Sequence, residues 1–258
     1  MATDRLQGKI AVVTGSTGGI GAAIARGMAA QGAHVVVSGR REIEGQRVVE
    51  SIRGSGGGAV YCKTDVSRPE DCRLVCDRAI QEFGGLDVLV NNAGIFPRGP
   101  MEEVTPAVWD EVFATNVRGV FFTCQAAVPL MAERGGGSII NIGSGNAFGT
   151  APHLIAYGTS KSALYGMTMT LARALAPRQI RVNWITVGWV LTEGEIFQEV
   201  EHEGISHEEI QARAAHLPMG RYTEPEEVAN GCIYLASDEA AGISGTDLNI
   251  SAGCAVRF

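Results

Sequence analysis

Nowhere does this chain reach the run of about 18 apolar residues that a membrane-spanning helix needs. Its Lys and Arg residues form no cluster, and the formal net charge is −7. A phosphate backbone is therefore not expected as a partner, because nucleic-acid binders carry a basic face. Residues 1–9 lack the apolar core of a signal peptide. Six cysteines (Cys62, Cys72, Cys76, Cys124, Cys232 and Cys254) form no C-x-x-C pair. They are expected to be reduced thiols in a cytoplasmic protein. Cys72 and Cys76 share a predicted helix face, but no further ligands stand near them in sequence, so no metal site is expected. There is no internal repeat and no linker. At 258 residues the chain reads as a single domain over 1–258.

What the chain has in excess is glycine. The 34 glycines are about twice the usual share of roughly 7%. They follow no collagen-like period and fall between apolar runs, where the backbone turns tightly or approaches a ligand. Short apolar runs alternate with amphipathic ones. Strands are predicted over 9–14, 34–38, 59–62, 86–90, 138–142, 180–185 and 247–250. Helices are predicted over 19–31, 42–53, 67–83, 105–134, 157–176 and 225–236, the third capped by Ser67. Strands apolar throughout are buried on both faces, and their alternation with helices implies right-handed parallel crossovers. The fold class is α/β: a doubly wound, Rossmann-type parallel sheet of about seven strands with helices on both faces. The pattern loosens only over 193–218, read as a substrate loop.

Thr14-Gly-Ser-Thr-Gly-Gly-Ile-Gly21 follows the first strand and opens the first helix. In that context glycines let the backbone approach a pyrophosphate, and the helix start offers unpaired N–H groups and a positive dipole end. The spacing Gly15, Gly19, Gly21 departs from G-x-G-x-x-G. It resembles the glycine motif of the short-chain dehydrogenase/reductase family, and the resemblance extends over nearly the whole chain. It implies cofactor contacts at Gly15, Ser16, Gly19, Ile20 and Gly21. It also implies adenine contacts from Asp65-Val66, ribose contacts from the Asn91-Asn92-Ala93-Gly94 string, and carboxamide contacts from Val190 and Thr192. Gly39 stands where NAD-using relatives place Asp, and Arg40 follows at once. A planar guanidinium suits a 2′-phosphate, so NADP(H) is favoured, with NAD(H) the alternative.

Tyr157 and Lys161 are four apart at the start of a predicted helix and so share one face. A free tyrosine titrates near 10; a neighbouring cation favours its phenolate and lowers that value. Tyr157 can then exchange a proton with a carbonyl or alcohol oxygen. By resemblance, Ser144 polarises the substrate oxygen, Lys161 also binds the nicotinamide ribose, and Asn116 interrupts a helix and holds a water that relays protons. Asn116, Ser144, Tyr157 and Lys161 are the expected catalytic set. Asn146 and Trp189 join Ser144 and Tyr157 as expected substrate contacts, with Phe96, Phe148, His153 and Leu154 as further pocket candidates.

The chain departs from the family in two places. Val187 replaces the usual proline of Pro-Gly, and Ser251-Ala252-Gly253 replaces the common Asp-Gly-Gly. Between 193 and 209 stand Glu193, Glu195, Glu199, Glu201, Glu203, Glu208 and Glu209, with no Lys or Arg. The run reads first as a solvated amphipathic helix face; as a lid it is also expected to repel an acidic carrier protein or a CoA phosphate tail. The expected function is hydride transfer between NADP(H) or NAD(H) and a small to medium ketone or secondary alcohol. A 3-oxoacyl-[acyl-carrier-protein] reductase and a non-catalytic dinucleotide-binding protein are the alternatives. A homodimer or homotetramer is implied by resemblance, through the segments 108–134 and 157–176.

Overall fold

A computed structural model describes residues 4–197, 200 and 204–255. Seven strands form one parallel sheet in the order β3-β2-β1-β4-β5-β6-β7. They are β1 (Ile10–Val13), β2 (His34–Gly39), β3 (Gly58–Lys63), β4 (Val88–Asn91), β5 (Gly137–Ile142), β6 (Ile180–Val187) and β7 (Asp247–Ile250). Side chains of β1 alternate between the two faces. Ala11 and Val13 join the core beneath α1 (Gly19–Ala30), α2 (Glu42–Gly54) and α9 (Pro225–Ala236). Ile10 and Val12 join the core beneath α3 (Pro69–Phe83), α5 (Val120–Glu133) and α6 (Ile155–Leu175). Apolar strands with both faces covered are what the continuous Val/Ile runs demanded.

The chain reverses its direction of strand addition between β1 and β4. At such a switch point the loops after neighbouring strands splay apart and leave a crevice. Here the loops are the glycine turn after β1 and Asn92–Gly94 after β4.

Three local expectations are corrected. Ser67 does not cap α3. The helix starts at Pro69 with Arg68 at the cap position, while Ser67 donates from its N–H (3.0 Å) and hydroxyl (2.7 Å) to Asp65 Oδ1. The aspartate two residues earlier captures the hydroxyl in a local turn. The predicted helix over 105–134 is instead α4 (Pro106–Phe113), a π-helical turn (Ala114–Gly119) and α5. β6 runs two residues past its predicted end because Thr186 and Val187 pair with Asn249 and Ile250 of β7. The loop after β6 carries two short helices, α7 (Glu193–Phe197) and α8 (His207–Ala214). Ser206 and Glu209 form a capping box at α8, which assigns Glu209 a structural role. Glu199, Glu201 and Glu203 lie outside the described residues.

Candidate active site

The crevice begins with Thr14. Its hydroxyl donates to Val90 O (3.3 Å) and accepts from the N–H groups of Asn92 (3.0 Å) and Ala93 (3.1 Å). Asn92 Nδ2 returns hydrogen bonds to Thr14 O (2.9 Å) and Gly15 O (3.0 Å). The two loops are thereby stitched side by side. Gly15 and Gly19 hold φ of +64° and +51°, which side chains rarely tolerate, and a Cβ on Gly15 would come 2.8 Å from Ala93 Cα. A Cβ on Gly21 would overlap Asn92 Nδ2 and Gly15 O. This is a cradle that side chains would fill, at the start of α1, and it suits a pyrophosphate.

Alongside lies a cleft of about 250 Å³ lined by Gly15, Thr17, Arg40, Asp65, Val66 and Asn92, among others. Expected contacts Ala93 and Gly94 line it as well. Ser16 does not. It is fully buried, its hydroxyl donates to Val13 O (2.7 Å) and accepts from Ser38 N (2.9 Å), and its own N–H donates to Ser38 O (2.8 Å). Thr17, the residue after Ser16, lines the cleft instead. Arg41, which is not among the expected cofactor contacts, lines the cleft too. Its Nε and Nη2 both lie 3.3 Å from Thr17 Oγ1, so the guanidinium reaches across to the glycine turn. Nothing in the sequence ranks Arg41 above Arg40; only the path of the chain into α2 does.

A second cleft, of about 190 Å³, shares Asn92 and Gly94 with the first. It is lined by Ser144, Asn146, Tyr157, Lys161, Trp189 and Thr192, with Ile20 and Val190 among the rest. Phe96 and Leu154 line it as expected, and so does Arg98, which the sequence did not single out. Phe148 instead packs edge-on against Tyr165 at 4.8 Å, and exposed His153 is not among the lining residues.

Tyr157 and Lys161 sit in the first two turns of α6. Lys161 is only 5% exposed. Its Nζ donates to Ile142 O (2.8 Å) and lies 5.7 Å from the centre of the Tyr157 ring. Burial disfavours the charged form and brings its pKa down to about 8. Ser144 follows β5 in extended conformation, and its Oγ accepts from Asn146 N (3.2 Å) and Nδ2 (3.3 Å). Phe96 meets Tyr157 edge-on at 6.0 Å.

Asn116 lies behind this wall, fully buried in the π-helical turn. Its Oδ1 accepts from Ile95 N (2.9 Å), and its Nδ2 donates to Ile95 O (2.9 Å) and Ser160 Oγ (3.0 Å). Ser160 Oγ in turn donates to Tyr157 O (2.6 Å). The π turn thus clamps the loop after β4 to the helix that carries the phenol. Trp189 stacks on Tyr222 at 6.3 Å, with the Arg213 guanidinium 5.9 Å from its ring.

Cys72 and Cys76 are buried in α3, where desolvation raises both thiol pKa values. Among the described residues no helix is long and apolar enough to cross a membrane.

Residues 15–255 match a family model described as enoyl-(acyl carrier protein) reductase. An uncharacterized oxidoreductase of Methylorubrum extorquens is 42% identical over 251 residues, 96% of this chain and 98% of that protein. The human dehydrogenase/reductase SDR family member 4 is 37% identical over 258 residues, 99% of this chain and 90% of its own. Among solved structures, a short-chain dehydrogenase/reductase from Serratia marcescens superposes with a TM-score of 0.88 at 35% identity, covering 98% of this chain and 100% of that one.

Proposed function

The chain belongs to the short-chain dehydrogenase/reductase family, the NAD(P)-dependent oxidoreductases of CH–OH groups, and on that premise we propose that it interconverts a small to medium ketone and its secondary alcohol with NADP(H), Tyr157 acting as general acid and base. The observation that carries this reading is the buried Lys161 ammonium, 5.7 Å from the Tyr157 ring on the wall of a cleft that also holds Ser144.

The nicotinamide, when bound, supplies or accepts the hydride. Gly15–Gly21 and Asn92–Gly94 would hold its pyrophosphate and ribose. Two N–H donors converge on Ser144 Oγ, which leaves the serine O–H free to donate a hydrogen bond to the substrate oxygen while keeping its proton. Tyr157 gives its phenolic proton to the same oxygen during reduction and takes it back during oxidation. The Lys161 cation stabilises the phenolate left behind. Asn116 holds Ile95 and Ser160, and through them the start of α6, in register with the cleft.

NADP(H) is favoured on two grounds. A Cβ at Gly39 would come 2.7 Å from Thr17 Cγ2, so the acid that reads the ribose in NAD users meets a side chain already in place. Arg40 and Arg41 bring two guanidiniums to the same cleft. Fluorescence titration with NADPH and NADH, followed by a panel of ketones and alcohols with both, tests the proposal. Tighter NADH binding, unchanged in Arg40→Ala and Arg41→Ala, overturns the cofactor assignment. Absence of turnover across the panel favours a non-catalytic dinucleotide-binding protein.

A second reading is a 3-oxoacyl-[acyl-carrier-protein] reductase; the matching family model is described by a carrier-protein substrate, though by reduction of an enoyl C=C bond rather than a ketone. The acidic loop opposes it, because carrier proteins are themselves acidic. Turnover of an acetoacetyl thioester at the rate of simple ketones would select it.

A further inference from the structure

The segment that follows β7 folds back on itself. Asn249 Nδ2 donates to Ala255 O (2.8 Å), and Ser251 Oγ donates to Asn249 Oδ1 (2.6 Å). Ala255 N donates to Ser251 Oγ (3.1 Å), and Cys254 N donates to Ser251 O (2.9 Å). Ala252 and Gly253, at φ of +48° and +84°, make the reversal. Each of Asn249 and Ser251 both donates and accepts, so the bonds form a closed circuit. The carboxylate common at position 251 in the family could accept from Ala255 N but, ionised, has no proton for Asn249 Oδ1.

This hook meets three segments beside the cleft, at Gly145, Gly188 and Pro218, and of these Gly188 lines it. A Cβ on Gly145 would come 2.6 Å from Ala255 Cβ, so Ala255 is seated against the residue that follows Ser144. A Cβ on Gly188 would come 2.7 Å from Ser251 Cβ, so Ser251 backs the residue before Trp189. A Cβ on Gly253 would come 3.0 Å from Pro218 Cβ, at the far end of the loop over 193–218. Ser251 is itself 3% exposed, whereas Asn249 faces solvent.

We infer that Asn249 and Ser251 are positioning residues: their hydrogen-bonded hook fixes the Ser144 turn and the Gly188–Trp189 backbone at the separation that presents one face of the substrate carbonyl to the catalytic groups. The inference rests on the function proposed for this cleft. Neither side chain touches the reacting atoms, so the effect reaches catalysis through Gly145 and Gly188. Small displacements suffice, since a misplacement of about 1 Å costs up to about a hundredfold in rate.

The test compares wild type with Asn249→Ala and Ser251→Ala in the reduction of a prochiral aryl ketone. Measured are KM, kcat, the enantiomeric ratio of the alcohol, and the Kd for NADPH. The expected result is a fall in kcat/KM of about ten- to a hundredfold, an eroded enantiomeric ratio, and a Kd for NADPH within twofold of wild type. Loss of folded protein alone lowers the apparent kcat but moves neither KM nor the enantiomeric ratio. Asn249 is exposed, so its replacement leaves the buried core intact. Wild-type KM and enantiomeric ratio in both variants overturn the inference while leaving the proposed function standing. Failure of the wild-type protein to reduce any ketone overturns both.

Discussion

Lys161 shows how one buried residue sets a pH limit. Burial holds its pKa at about 8, below the ordinary 10.5. Below about 8 the ammonium is charged and supports proton donation by Tyr157; above it the cation that stabilises the phenolate is lost. Reduction also consumes a proton. Both effects have the same sign, so kcat/KM for ketone reduction is expected to be level at neutral pH and to fall as pH rises through about 8. A pH–rate profile checks this, and a limb that stays flat to pH 10 contradicts it. Thr17 and Gly39 form a second test at this scale. Gly39→Asp alone drives the new side chain into Thr17 and is expected to weaken NADPH binding without creating tight NADH binding. Thr17→Gly combined with Gly39→Asp is expected to gain NADH affinity. Tight NADH binding by the single variant would show that Thr17 is no obstacle. Of these residues, Tyr157, Lys161, Ser144 and Asn116 were legible from spacing and resemblance. Thr17 and Arg41 were not, because their roles depend on two loops brought together by β1 and β2.

At the scale of elements, the π-helical turn is a feature that periodicity alone does not show, although the family resemblance places a helix interruption at Asn116. Its residues, Ala114–Gly119, continue a helical sequence without Pro or a cap signal, so periodicity merges α4 and α5 into one helix. Within this turn the Asn116 amide bonds both the N–H and the C=O of Ile95. Asn116→Ala would leave the N–H and C=O of Ile95 without the partners that bind them at 2.9 Å. Both Ile95 groups are only partly buried, so water replaces part of each lost bond, and denaturant unfolding of the apo protein is expected to show a loss of about 1 kcal/mol; an unchanged midpoint contradicts the clamp. The strands were legible because β-branched apolar runs buried on both faces admit few alternatives. Helix ends were less so: Ser67 satisfies every local rule for a cap and still loses its hydroxyl to Asp65.

For the molecule as a whole, the parallel order β3-β2-β1-β4-β5-β6-β7 places both clefts at the carboxyl ends of the strands. That placement follows from connection rules alone once the strands are known. The proposed subunit contacts along α4, α5 and α6 belong to this scale. Trp109 on α4 and Phe121 on α5 are large apolar side chains, 37% and 43% exposed in the single chain. Phe121→Glu is expected to lower the assembled mass seen by light scattering while the folded protomer persists. Assembly unchanged in that variant places the contact elsewhere.

On the proposed mechanism the Tyr157 phenol exchanges the proton. Single-turnover reduction of a ketone by Tyr157→Phe, with NADPH binding measured on the same sample, tests it most directly. The expected result is a rate lower by about 10²–10⁴-fold, with NADPH bound as tightly as in wild type. A wild-type rate in that variant would remove Tyr157 from the chemistry.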